Sequence, residues 1–171
     1  KGKMIVADSS PIIALAKQGM LDVLNKCFWE VFIPEAVYQE IMSKKGSPEA
    51  VSLEEALKSK WVVVEKVALI PPLDTKSIGQ GEKEAISLAF RRKSILLIDD
   101  DSAKKYASIF GIGAHGTLFV IFLAVIKNHL TAADAKSALE GMISAGFYIS
   151  SELYSRFLEL PKTGGGYYPY A

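Results

Sequence analysis

Four carboxylates in this chain stand where a merely solvating charge would not be placed: Asp8, Glu40, Glu82 and Asp100. Asp8 closes the apolar run Met4-Ile5-Val6-Ala7, and Asp99-Asp100-Asp101 follow the run Ile95-Leu96-Leu97-Ile98. Branched apolar runs without a polar break read as strands buried on both faces. In an open parallel sheet, ligands collect at the C-terminal strand ends. Like charges that close raise each other's cost of ionisation, so a cation is expected beside them. Glu40 shares a helical stripe with Ala36, Val37 and Ile41, whereas Glu35 and Gln39 can take the outer face. Glu82 likewise precedes Ala85, Ile86 and Ala89, while Glu84 lies on the side of Ser87, Leu88 and Arg91. Carboxylates are almost never buried unpaired. The four are therefore expected to converge on one acidic site.

The chemistry of such a site follows from its donors. His115 and His129 are the only histidines and Cys27 the only cysteine, so no imidazole or thiolate cluster competes. An all-oxygen site suits Mg²⁺ or Mn²⁺. Without a nucleophilic side chain, it suits metal-assisted hydrolysis of a phosphodiester. A metal would lower the pKa of the attacking water, and it or a second ion would take up charge on the phosphate and leaving oxygen. A carboxylate left free could orient the water.

The elements that position these groups alternate along the chain. Strands are expected at 4–8, 29–33, 61–64, 95–98 and 147–150. Ser9 or Ser10 can cap a helix with Pro11 at its first position and Gly19 at its end. Further helices are expected from Pro34 to Met42, Ser47 to about Lys58, Gly81 to Lys93, Ser102 to Phe110, Thr117 to Asn128, Thr131 to Gly146 and then to about Leu160. Pro71-Pro72 and the polar residues up to Gly79 form a loop. This alternation gives a three-layer α/β/α fold with a mainly parallel sheet. One domain, 4–160, is expected, with 161–171 a Gly- and Tyr-rich tail.

Half of the 171 residues are hydrophobic, which places the chain among ordered globular proteins, and the net charge of +1 supplies no global field for a polyanion. Any nucleic acid must be held locally. Arg91-Arg92-Lys93 could hold a backbone, although cations at a helix C-terminus are favoured anyway. Lys104 and Lys105 could reach phosphates or the carboxylates. The apolar run Leu118 to Ile126 is about half the length of a bilayer span, so no membrane association is expected. A helix this apolar predicts a symmetric homodimer hiding part of it. A single cysteine and the absence of a signal-peptide pattern before the first strand make a reducing cytosol the expected compartment.

The order Ala7-Asp8-Ser9-Ser10, Ile33-Pro34-Glu35-Ala36-Val37-Tyr38-Gln39-Glu40, Gly81-Glu82-Lys83-Glu84-Ala85-Ile86 and Leu97-Ile98-Asp99-Asp100 resembles the PIN domain. More narrowly, it resembles a prokaryotic subgroup related to VapC-type toxins, in which Gly116-Thr117-Leu118 also has a counterpart. The resemblance runs from about Met4 to Leu158 and implies a five-stranded sheet of order 3-2-1-4-5, which sets Asp8 near Asp100. It implies a metal-dependent endoribonuclease with Asp8, Glu40, Glu82 and Asp100 in the acidic positions. Asp8, Glu82, Asp100 and Asp99 are the candidate ligands of Mg²⁺ or Mn²⁺. Ser9, Thr117, Arg91 and Arg92 are the candidate substrate contacts, and a small antitoxin protein is an implied partner. The chain departs from the family pattern at Ile98, where Thr or Ser often stands. It departs again at Glu82, where Asp is more common, and in the Asp99–Asp100 doublet, which leaves the fourth ligand open between the two.

Two other functions compete. Asp99-Asp100-Asp101-Ser102 superficially matches the D-x-D start of haloacid-dehalogenase-like phosphatases, but that motif normally opens its domain and here follows four elements. A PIN-like nucleic-acid or protein binding module without catalysis is the other, opposed by the intact acidic set.

Overall fold

Five strands pair in one wholly parallel sheet of order β3-β2-β1-β4-β5, as expected. They are β1 (Met4–Ala7), β2 (Glu30–Pro34), β3 (Val62–Glu65), β4 (Leu96–Leu97) and β5 (Ala114–His115). The computed structural model describes residues 3–73 and 75–159; the expected tail at 161–171 lies outside them. Strand β1 is central, with Val6 paired to Phe32 on one side and Leu96 on the other.

Alternation along the strands divides the core in two. Ile5, Ala7, Val31, Ile33 and Leu97 face one apolar cluster, and Val6, Phe32, Leu96 and Ile98 face the other. The second cluster is closed by α5 (Gln80–Arg92) and α6 (Asp101–Ile109), through Ala85, Ile86, Ala89, Ala103 and Ala107. The first is closed by α1 (Ser9–Lys17), α2 (Asp22–Cys27), α3 (Glu35–Met42), α4 (Pro48–Lys58), α7 (Thr117–Ile126), α8 (Ala132–Ser144) and α9 (Ser151–Leu158). Three layers result. Helix starts follow capping chemistry: Ser47 accepts from the Ala50 amide ahead of Pro48, and Thr131 from the Asp134 amide.

Four details differ from the sequence expectation. The fifth strand is Ala114–His115 and not 147–150, because Gly146 turns the chain left-handed at φ +95° and the Phe147 amide donates back to the Met142 carbonyl. Residues 147–150 form no strand. The short helix α2 was not anticipated, nor was a 3₁₀ turn at Pro71–Leu73 inside the expected loop. Helix α1 begins directly at Ser9, so its cap position falls to Asp8, without a side-chain cap bond. Helix α7 is covered by α1, α2 and α8, and Phe122 meets Phe157 of α9 at a tilt, 5.1 Å between ring centroids. Leu118, Phe119 and Leu123 of α7 stay half-buried beside that cover.

Candidate active site

Asp8 sits where β1 hands over to α1, at the C-terminal edge of the central strand. Its amide donates to the Leu97 carbonyl at 2.8 Å, which ties the end of β1 to β4. Sheet and helix leave the side chain only 3% exposed, and Oδ1 finds no hydrogen-bond partner. Burial pushes the carboxyl up to about 7, against the help of the Ser9 amide; the charges of Glu82, Glu40 and Asp99 push the same way. An orphaned, destabilised carboxylate at the centre of a sheet edge is a costly arrangement for a purely structural residue.

Glu82 lies in the first turn of α5, and its Oε2 accepts from the Gly79 amide at 2.8 Å. Its carboxyl is raised by burial, opposed by that bond, and raised further by Asp100 and Glu40. Gly81 explains how these groups approach. A Cβ there would lie 3.3 Å from Glu40 Oε2 and 3.6 Å from Asp8 Oδ1, so both carboxylates face the space this glycine leaves open.

The acidic doublet divides its labour. Asp99 Oδ1 accepts from the Thr117 amide and Oδ2 from the Thr117 hydroxyl, both at 2.7 Å. A Cβ on Gly116 would stand 2.7 Å from Asp99 Oδ1, so that clamp needs glycine there. Asp100 caps α6, accepting from the Ala103 amide at 2.7 Å. Asp99 bears electrostatically on Asp8, and Asp100 on Glu82. Both residues of the doublet border the cavity beside the site.

Among the described residues no three acidic, histidine or cysteine side chains stand together at ligating distance. The carboxylates ring a space without closing on it, since Glu82, Asp99 and Asp100 are each held by a hydrogen bond to the backbone. The orphaned Asp8 Oδ1, the cradle at Gly81 and the all-oxygen donors together fit a hard divalent cation.

The candidate substrate contacts fare differently from the acidic four. Ser9 is buried at the first position of α1, and it is Ser10 that borders the cavity beside the carboxylates. Thr117 is fully buried and serves Asp99. Arg91 and Arg92 sit at the far end of α5 from Glu82. There Arg91 donates to the Ala68 carbonyl, and Arg92 pairs with Glu65 and lies 3.4 Å over the Phe32 ring. The structure does not bring either arginine to the site. Lys104 does reach it, with Nζ 3.3 Å from where a Gly116 Cβ would stand.

A cavity of about 1060 Å³ opens beside the carboxylates, bordered by Glu82, Asp99 and Asp100 at one end. His115, Phe119, Phe147 and Tyr148 border it as well, and none of these was a candidate site residue in the sequence. The one available signal was an aromatic pair directly after a helix-ending glycine.

A wholly parallel α/β/α sandwich with carboxylates gathered at the carboxyl edge of its central strand defines the class of protein. Within that class the chain belongs to the PIN domain family, whose DUF3368 model matches residues 4–163. PIN domains are generally nucleases and generally use divalent metals, and membership removes the haloacid-dehalogenase alternative. No curated protein matches the chain. Among solved structures, the chain is similar to a PilT N-terminus domain protein, SSO1118, from the archaeon Sulfolobus solfataricus P2. That match has 20% identity and a TM-score of 0.51, over 68% of this chain and 89% of that one. It is similar also to a domain of a functionally unknown protein from Methanocaldococcus jannaschii, at 23% identity and a TM-score of 0.44, over 67% and 90%. At 20% identity the likeness to the first is one of fold.

Proposed function

We propose that this chain is a metal-dependent endoribonuclease. The observation that carries the proposal is Asp8: buried, unpartnered on one oxygen, and pressed by three neighbouring carboxylates at the centre of the sheet edge. Asp8, Glu82 and Asp100 are the residues that would hold the ion, with Asp99 fixed behind them by Thr117. A bound divalent ion supplies Lewis acidity to water and to the scissile phosphate. Glu40, exposed on α3 and facing the same space, is the carboxylate free to orient the attacking water and take its proton. Lys104, at the border of the cavity, offers a cation to a phosphate oxygen.

The test is cleavage of single-stranded RNA, with DNA of the same sequence beside it, in buffers holding Mn²⁺, Mg²⁺ or EDTA only. RNA should be cut in either metal and left intact in EDTA. Asp8→Asn nearly keeps the shape and removes the charge, and should lower cleavage by at least about a hundredfold, the order expected when one electrostatic stabiliser is lost. If Asp8→Asn cleaves as well as the parent, the assignment is wrong.

A further inference from the structure

The acidic groups account for only one end of the cavity. The rest is bordered by aromatic side chains, and the substrate reading just given leaves them without a task. His115 and Phe119 lie ring on ring, 4.1 Å between centroids and 19° from parallel. Burial, and then the charges of Lys104 and Lys3, hold the His115 imidazole below its usual value, and the pair presents a flat surface. Phe147 and Tyr148 border the same cavity from the segment that follows α8. Tyr148 is 87% exposed, the most exposed large apolar or aromatic side chain among the described residues. An aromatic ring kept in water at the edge of a cavity contributes nothing to the core, and it is an open face for another flat group.

Resting on the nuclease reading, we infer that these rings form a stacking ledge for unpaired nucleobases. His115–Phe119 and Tyr148 would seat the bases next to the phosphate held at the carboxylates. The ledge is continuous with the acidic end, since Asp99, Gly116 and His115 border one cavity. About 1060 Å³ is room for more than one base. Every base has a π-face, so stacking holds a single strand without reading its sequence. A duplex already stacks its bases on one another and has no free face to offer. The chain's net charge of +1 leaves a strand little general attraction, which makes stacking a natural source of grip. Tyr148 is accordingly a positioning residue, and it should act on substrate binding more than on the chemical step.

The experiment uses a short single-stranded RNA carrying 2-aminopurine, whose fluorescence is quenched on stacking. It is titrated into the full chain in EDTA, where metal-dependent cleavage cannot run, and again in Mn²⁺. The parent should quench the single strand and leave the matching duplex unchanged. Tyr148→Ala should bind the strand about tenfold or more weakly, the range seen when one stacking partner is truncated, and Tyr148→Phe should restore it. In Mn²⁺ the loss should appear mainly in KM, with kcat nearly kept. No quenching by the parent in either buffer, or equal quenching by Tyr148→Ala, overturns the ledge. Quenching without any cleavage overturns the nuclease reading and leaves the ledge standing.

Discussion

At the scale of the residue, Asp8 makes the sharpest statement. A carboxyl raised from 3.8 to about 7 favours its protonated form in the folded chain. The sign of the resulting pH dependence follows directly. Below about 4, folded and unfolded chains both hold the proton and stability is fully present. Between about 4 and 7 the unfolded chain releases the proton first, so stability is lost as pH rises through the folded value. The change is on the order of 4 kcal/mol for a shift of this size. Urea titrations of metal-free protein from pH 4 to 8 should therefore show a fall in stability that Asp8→Asn largely abolishes. A parent and Asp8→Asn with parallel profiles would mean that Asp8 is not carrying the strain. The acidic candidates were legible in the sequence because each broke an apolar pattern or ended one. Ser9, Arg91 and Arg92 were less so: chemical type suggested contacts with phosphate, and burial or the far end of a helix took them elsewhere.

At the scale of the element, α3 shows how one helix holds another's candidate catalytic residue in place. Glu84 was expected on the other face of α5 from Glu82, beside Ser87, Leu88 and Arg91, without a part in the site. Instead its Oε1 accepts from the Ala36 amide at 3.2 Å, an unpaired donor at the start of α3, while Gln80 braces Oε2. Glu40 lies four residues further along the same helix. Glu84→Ala should cost about 1 kcal/mol by urea denaturation, the usual loss for a helix-start acceptor, and should lower RNA cleavage several-fold by loosening α3. Glu84→Gln keeps a carbonyl acceptor and should stay close to the parent in both. Equal behaviour of the two variants would show that the bond does not position α3. The strands were legible where they were long enough to show a period. Ala114–His115 has two residues between glycines and shows none. Phe147-Tyr148-Ile149 has strand composition, yet its apolar surface borders the cavity.

For the whole molecule, the relevant quantity is the coupling between an acidic rim and the fold that carries it. Anything that binds the folded chain alone stabilises it by mass action, by about 2.7 kcal/mol at a hundred times Kd. For a chain of this size that is a rise in Tm of roughly 5–10 °C. Thermal melts in saturating Mn²⁺ should show such a rise over EDTA for the parent and little of it for Asp8→Asn. An unchanged Tm for the parent would count against a preformed site. The three-layer architecture was legible in alternating apolar runs and helix starts spread over the whole chain, whereas the strand order came from the family resemblance and its fifth strand was placed at 147–150 instead of Ala114–His115. The groove was not, since it is made by residues from β5, α7 and the turn after α8, which no local pattern links.

Three of the acidic residues hold two posts at once. Glu82 fastens the start of α5, Asp100 fastens the start of α6, and Asp99 fastens Thr117 at the start of α7. Asp8 Oδ1 has no such duty, and among the described residues no hydrogen bond engages the Glu40 carboxylate. A descendant of this chain released from selection for activity would therefore shed its acidic residues in a definite order. Asp8 and Glu40 would drift first, and the substitution of Asp8 would even relieve a burden. The other three would linger as fossils of the site, kept by the helices they fasten.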